Sequence, residues 1–233
     1  VKIEEQLTEY KLIFFTNISH EFRTPLTLIK GALEKIQSAS RIPKDINSSV
    51  TIIDKSTHRL LRLVNQLIEF RKMQQNKLSL ALEETDIVPF IYNIFLNFKD
   101  IAESKNITFE FLSPNISYQM YIDQDKVDKS MYNLLSNALK YTPRQGKVVL
   151  SLEIDETNSL FVIKVIDNGV GIPKDKQGEL FKRFMQSGFS RDSMGVGLHL
   201  THELVKIHKG RLHFEENPNG GSIFSITLPI DSS

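Results

Sequence analysis

Between Leu12 and Ile36, positions 12, 15, 19, 22, 26, 29, 33 and 36 are Leu, Phe, Ser, Phe, Leu, Ile, Leu and Ile. Steps that alternate between three and four lay apolar side chains along one stripe of an α-helix, the pattern of a coiled-coil seam. Only Ser19 breaks the run, and a stripe of this kind has to be buried against other helices. The predicted helix runs from about Ile3 to Ser38, and SASRIPKD ends it. A second predicted helix spans about Ile46 to Gln75 with its own seam at Ile46, Val50, Ile53, Thr57, Leu60, Val64 and Leu67. Together they make an antiparallel hairpin. Ile52, Leu61, Leu63 and Ile68 widen the second stripe beyond what one neighbouring helix can cover. A four-helix bundle built from two copies buries the surplus, so a homodimer through residues 1–78 is expected.

His20 falls one residue past a seam position, which turns its imidazole to the side of the buried stripe and toward solvent. Pro25 cannot donate to the carbonyl of Glu21, so the backbone is expected to bend just beyond His20 at a cost of about 3 kcal/mol. Glu21 and Thr24 set a carboxylate and a hydroxyl beside the imidazole. Taken alone, a His-Glu pair is also what an ordinary solvated helical face carries. His-Glu-x-x-Thr lacks the second histidine of a His-Glu-x-x-His zinc site, so a metalloprotease fails on ligand count.

Composition removes other classes. Lys plus Arg number 29 against 28 Asp plus Glu, which leaves no global positive field for nucleic acid or an anionic membrane. Cysteine is absent, which excludes disulfides, thiolate metal sites and a cysteine nucleophile. No run of about 18 apolar residues occurs, and VKIEEQLTEYK has no apolar signal core. The Asn-x-Ser/Thr strings at Asn17, Asn47, Asn106 and Asn115 are therefore read as chance matches. The 233 residues, 40% hydrophobic, suffice for one large packed domain or two small ones.

After NKLSLALEETD the periodicity shifts to short strands and helices, which marks a domain boundary near residue 78 and a second domain over 79–233. Asp86 is expected to cap a helix reaching about Lys105. Residues 107–111 and 118–122 read as strands, 124–141 as a helix, KVVLSLEI and SLFVIKVID as a strand pair, and RLHFEE with SIFSITLP as a hairpin about Asn-Pro-Asn-Gly-Gly. No Gly-x-Gly-x-x-Gly follows the first strand, so this domain is an α/β sandwich rather than a Rossmann unit, and the whole chain is α+β.

The chemistry of the second domain gathers in four strings. On helix 124–141, Asn133, Asn137, Lys140 and Tyr141 put two amides and an ammonium on one side, where amide oxygens can ligate magnesium and a lysine can meet phosphate. A plain polar face would look the same. VIDNGVGIP puts Asp167 at a strand end before Gly169, Gly171 and Ile172; a buried carboxylate there can accept from an amino group such as adenine's, though a simple glycine turn is the alternative. ELFKRF offers Phe181 and Phe184 at a spacing of three, the pattern of a core stripe as much as of a ligand contact. Gly195, Val196, Gly197 and Leu198 lead into a helix reaching His208, and free N–H groups at its start suit phosphates. The span 172–194 between these strings is polar and weakly periodic, as expected of a lid.

In their order, these strings resemble those of the sensor histidine kinases of bacterial two-component systems over almost the whole chain. NISHEFRTPLTLI resembles the phospho-acceptor box, NLLSNALKYTP the asparagine box, DNGVGIP the first glycine box, LFKRF the phenylalanine box and GVGLHL the second glycine box. The resemblance implies a dimerisation and histidine-phosphotransfer bundle followed by an ATP-binding domain of the DNA gyrase type. It makes His20 the phospho-acceptor, Glu21 the activating carboxylate, Thr24 the phosphatase hydroxyl, Asn133 and Asn137 the magnesium side, Lys140 a phosphate contact and Asp167 the reader of adenine. Tyr141, Gly169, Gly171, Ile172, Phe181, Phe184, Gly195, Val196, Gly197 and Leu198 complete the nucleotide site on the same implication.

ATP and Mg2+ are the implied cofactors, and a response-regulator receiver domain is the implied partner. Ser193 and Met194 stand where the second glycine box often has a first glycine, a departure that bears on lid motion. Sensor, membrane anchor and receiver are not in these residues, so the expectation is a cytoplasmic domain of an inner-membrane sensor, tethered through an anchor outside the chain. Two other classes explain part of the pattern. An ATPase module of the same fold has no use for His20, Glu21 and Pro25, and a non-catalytic helical adaptor has none for Asn137, Asp167 and the glycines.

Overall fold

The computed structural model describes residues 24–25, 27–29, 31–32, 53, 56, 60, 79–114, 116–181 and 197–230. The chain divides into two compact units, one of Val1–Asn76 with Arg183–Gly197 and the other of Lys77–Lys182 with Leu198–Ser233. In the first, every described residue between 24 and 60 is helical. Pro25 is buried within the helix while Thr24 beside it is exposed. Ala32 and Ser56 are buried, and the seam residues Ile29 and Leu60 are half-buried within the single chain. His20, Glu21 and Leu26 lie outside the described residues, as do Phe184, Gly195, Val196 and most of the expected lid.

From residue 83 on, the elements are β1 (Glu83–Asp86), α1 (Ile87–Leu96), α2 (Lys99–Ser104), β2 (Thr108–Leu112), β3 (Gln119–Ile122), α3 (Gln124–Tyr141), β4 (Lys147–Asp155), β5 (Leu160–Asp167), α4 (Lys174–Gln177), α5 (Gly197–Ile207), β6 (Arg211–Glu216) and β7 (Ser222–Pro229), all of the second unit but for Gly197 at the start of α5. The main sheet has five strands in the order β2-β4-β5-β7-β6. Strand β2 is parallel to β4, and the other pairs are antiparallel. Strand β1 pairs antiparallel with β3 in a small sheet of their own.

Strand β5 shows how the layers form. Phe161, Ile163 and Val165 are buried and alternate with half-buried neighbours, as expected of a strand with one face on a core. They share that core with Ile87 and Ile91 of α1, Met131 and Leu135 of α3, and Val205 of α5. The chain is thus α+β, with helices packed on a mixed sheet.

Local chemistry sets the element ends, and it corrects two expectations. The α1 helix tolerates Pro89 because its ring sits in the first turn, where the N–H has no intrahelical acceptor. Asp86 occupies the position before α1 but gives it no side-chain cap; its carboxylate instead accepts from Ser117 Oγ at 2.6 Å and Tyr118 N at 2.9 Å. The helix expected to reach Lys105 breaks at Asn97–Phe98 and resumes as α2. Lys105 Nζ donates to the Leu139 carbonyl at 2.7 Å, satisfying one of the acceptors at the end of α3. Strand β1 lies in a stretch read from sequence only as a boundary.

Helix α3 begins at a cap that also ties in α5. Asp123 Oδ1 accepts from Lys126 N at 3.1 Å, and Oδ2 accepts from Ala81 N at 2.8 Å. Asp123 N donates to His208 Nε2 at 3.2 Å, while His208 Nδ1 lies 2.7 Å from the Leu204 carbonyl. A carbonyl only accepts, so Nδ1 carries the proton and the ring is neutral. Burial lowers the His208 pKa from its ordinary 6.5, outweighing the pull of the Leu204 carbonyl and Asp123. A lowered histidine pKa adds stability above about pH 6.5, and that stability is lost as the pH falls below this value. Resistance to thermal unfolding should therefore fall from pH 7.5 to 5.5. His208→Ala should be less stable at pH 7.5 by about 1–3 kcal/mol, since buried polar groups lose a partner, and should show a shallower slope in that window.

Candidate functional site

The first glycine string forms a closed loop about Asp167, which is 5% exposed at the end of β5. Its Oδ1 accepts from Gly169 N at 2.8 Å and Ser222 N at 3.3 Å. Oδ2 meets no donor among the described residues. Burial raises the Asp167 pKa, and the two backbone donors oppose that shift. The result is a carboxylate held by one oxygen with the other available to a donor. Gly169 is required because a Cβ there would strike the Tyr141 carbonyl. Val170 N donates to that same carbonyl at 3.3 Å, which joins the loop to the end of α3. Asn168 Oδ1 accepts from Lys147 N at 2.6 Å and fixes the loop to the start of β4.

Helix α3 buries Val127, Met131, Leu134, Leu135, Ala138 and Leu139 and leaves Asn133 and Asn137 half-buried, four residues apart on one side. Asn133 Nδ2 donates to Thr201 Oγ1 of α5 at 2.9 Å, which points Oδ1 away from that bond. The Asn137 side chain makes no hydrogen bond among the described residues. Neither amide oxygen meets a donor among the described residues. Lys140 is exposed, with Nζ 5.3 Å from the centroid of the Tyr141 ring. It also borders a shallow cavity with Phe98, Ile101, Lys105, Tyr132 and Ser136, a surface the sequence did not single out.

Helix α5 faces α3 through Thr201, which is 1% exposed. His199 Nδ1 lies 2.8 Å from the Phe181 carbonyl, and the Phe181 ring stacks on His202 with centroids 5.5 Å apart. Phe181 is thus anchored on α5. Ile172 and Leu198 pack against the core. Within the expected lid, α4 is fixed by Gln177 Nε2, which donates to the Ile172 carbonyl at 2.9 Å and to Glu216 Oε1 at 2.7 Å.

Residues 122–232 match the family described as "Histidine kinase-, DNA gyrase B-, and HSP90-like ATPase", and residues 10–76 match the "His Kinase A (phospho-acceptor) domain". His20 falls inside the second match, and Asn133, Asn137 and Asp167 inside the first. The chain belongs to the histidine kinases. Histidine kinase P4 of Formosa agariphila is 34% identical over 234 residues, which is 97% of this chain and 17% of that protein. The chain therefore spans about a sixth of the length of that curated relative. The solved structure of Acinetobacter baumannii histidine kinase AdeS is 25% identical with a TM-score of 0.65, and covers 91% of this chain and 98% of its own. A similar fold occurs in histidine kinase ThkA in complex with response regulator protein TrrA, 21% identical, with a TM-score of 0.66, over 97% of this chain and 64% of that one.

For a histidine kinase the ATPase-type match brings ATP binding with it, and the described part of the site is consistent with that. Asp167, Gly169 and Tyr141 come together, as do Asn133 and Thr201. No described helix is long and apolar enough to cross a membrane. Thr201, Ser222, Asn217 and Gly221 are the site residues the sequence reading missed. Asn217 and Gly221 were read only as part of a hairpin turn, yet Asn217 Nδ2 donates to the Asp167 carbonyl at 2.7 Å and a Cβ on Gly221 would strike that same oxygen.

Proposed function

We propose that this chain is the catalytic core of a two-component sensor that transfers the γ-phosphoryl group of ATP to His20 and then passes it to an aspartate of a receiver domain. The observation that carries the reading is the union, in one chain, of a phospho-acceptor domain containing His20 and an ATP-binding domain containing Asp167. An ATPase module alone leaves the first unused, and an adaptor leaves the second. Residues 1–78 form the dimerising phosphotransfer hairpin and 79–233 the catalytic domain. Half-burial of Ile29 and Leu60 in the single chain supports a second copy completing the bundle.

The chemistry runs on charge. At neutral pH His20, with an ordinary pKa of about 6.5, is largely uncharged and offers a ring-nitrogen lone pair to the γ-phosphorus. As the new N–P bond forms, the bond to the bridging oxygen of ADP breaks and its electron pair leaves with ADP. Glu21 holds the N–H on the other ring nitrogen and stabilises the positive charge that develops. Asp167 Oδ2 accepts from the adenine amino group. Gly169, Gly171, Ile172 and Tyr141 flank the base, and Lys140 with the Gly195–Leu198 string meets the phosphates, with Phe181 and Phe184 anchoring the lid. Asn133 and Asn137 would hold Mg2+ through their amide oxygens, which fit an oxygen-seeking cation. That ion supplies neutralisation of the leaving diphosphate. In a separate, hydrolytic reaction, Thr24 orients water against the phosphorus of the phosphorylated aspartate of a docked receiver, releasing inorganic phosphate and the free carboxylate.

Mixing chain labelled from γ-phosphate with an isolated receiver domain tests the pathway. Label should leave the chain and appear on the receiver, and a receiver lacking its acceptor aspartate should take none. Label that stays on the chain with every receiver tried would contradict the transfer step.

A further inference from the structure

We infer that Asn217, in the turn between β6 and β7, is a positioning residue for nucleotide recognition: its side-chain amide holds the backbone of Asp167 so that the free carboxylate oxygen faces the base. The inference rests on the reading of Asp167 as the acceptor for adenine.

The β5–β7 ladder ends at the pair Ile166 with Ile223, so Asp167 is the first residue beyond it on β5. A strand carbonyl past the last rung has lost its backbone donor and, when buried, needs another. Asn217 supplies it across 50 residues of sequence, with Nδ2 donating to the Asp167 carbonyl at 2.7 Å. The rest of Asn217 is committed to its own turn. Its N donates to the Gly221 carbonyl at 3.2 Å, its carbonyl accepts from Gly220 N at 2.8 Å, and its Oδ1 accepts from Asn219 N at 3.1 Å. The turn is therefore rigid and its amide is aimed. Gly221, at φ +90°, lets the turn close on the glycine box, since a Cβ there would strike the Asp167 carbonyl, Gly169 N and Asn168 Cα.

Directly after Gly221 comes Ser222, whose N–H reaches Asp167 Oδ1 at 3.3 Å, a long bond that depends on where the turn sits. One turn thus grips Asp167 at two points, the carbonyl through Asn217 and the carboxylate through Ser222. Loosening the first loosens the second, and the carboxylate then has one firm donor, Gly169 N, and freedom to rotate Oδ2 off the base.

Two variants separate this role from simple turn stability. Asn217→Asp keeps an oxygen to accept from Asn219 N but has no donor for the Asp167 carbonyl. Asn217→Ser adds no charge, and its hydroxyl, one bond nearer the backbone than the Asn217 Nδ2 it replaces, falls short of the Asp167 carbonyl. ATP and GTP affinities are measured by calorimetry on the 233-residue chain, with thermal unfolding alongside and Asp167→Asn as reference. Both Asn217 variants should bind ATP about tenfold more weakly, the loss typical of one hydrogen bond, with GTP unchanged so that selectivity narrows. Asn217→Gln, which retains the donor on a longer arm, should recover part of it. Unchanged ATP affinity in both variants while Asp167→Asn weakens binding would overturn the proposal and leave the Asp167 reading intact, even if the variants unfolded at lower temperature. Equal weakening of ATP and GTP would also overturn it, since that is the mark of general loosening. Unchanged binding in Asp167→Asn would remove Asp167 from the site and the proposal with it.

Discussion

Glu21→Gln should slow phosphoryl transfer from ATP to His20 by about 10²-fold or more, in line with the loss of other positioned acid–base groups. The amide can still accept a hydrogen bond from the imidazole, but it carries no charge to stabilise the cation that forms as phosphorus arrives. Thr24→Ala should keep most of the labelling and lose much of the receiver dephosphorylation. Thr24 is exposed and helical next to a buried Pro25, and it lies one turn beyond His20, the distance at which side chains on one face of a helix act together. Pro25→Ala is expected to disturb both reactions, because a proline inside a helix removes a backbone hydrogen bond and its loss alters how the neighbouring turn carries its side chains. Single-turnover labelling and the decay of phosphorylated receiver measure the two activities separately. If Thr24→Ala abolished labelling as fully as Glu21→Gln, the division of roles would be wrong.

Asp167→Asn should weaken ATP binding by about 10- to 100-fold, the range for hydrogen bonds to a charged group. Gly169 N and Ser222 N both point at Oδ1, so the amide oxygen must take that place and the NH2 then occupies the position of Oδ2. There it meets the adenine amino group donor to donor. Acidity provides a second signature. Because burial raises the pKa of Asp167, ATP affinity in the parent should fall as the pH drops toward that raised value, while the Asn variant should lack this dependence. Calorimetric titration across pH checks both. Equal affinity in parent and variant would remove Asp167 from the nucleotide site.

Much of the catalytic domain was legible because its signals are local. Helix α3 shows a period of 3.6 with an Asp cap, β5 alternates cleanly into its terminal Asp167, and the β6–β7 hairpin announces itself by two glycines. What escaped depends on partners distant in the chain. Nothing near residues 108–112 says that β2 pairs parallel to β4, because that pairing needs the intervening α3 to carry the chain across. Asp86 looked like a helix cap, since its type and place fit, yet donors 31 and 32 residues away won its carboxylate. Asn217 reads as turn chemistry because three of its four bonds lie within its own turn, and only the fourth reaches Asp167. Lys140 was grouped with Asn133 and Asn137 by helical spacing, but its long stem also lets it lie along Tyr141 and border the cavity beside α2.

If His20 takes a phosphoryl group from ATP, the bond formed is a phosphoramidate, and its chemical stability sets it apart from the phosphate esters. The chain is incubated with γ-labelled ATP and Mg2+, and the labelled protein is divided between acid and base. A phosphoramidate on histidine loses its label in acid and keeps it in base, whereas a phosphoserine or phosphothreonine is stable in acid. Label in the parent should be acid-labile and base-stable, and His20→Gln should take none. Acid-stable label, or label retained by His20→Gln, would contradict it.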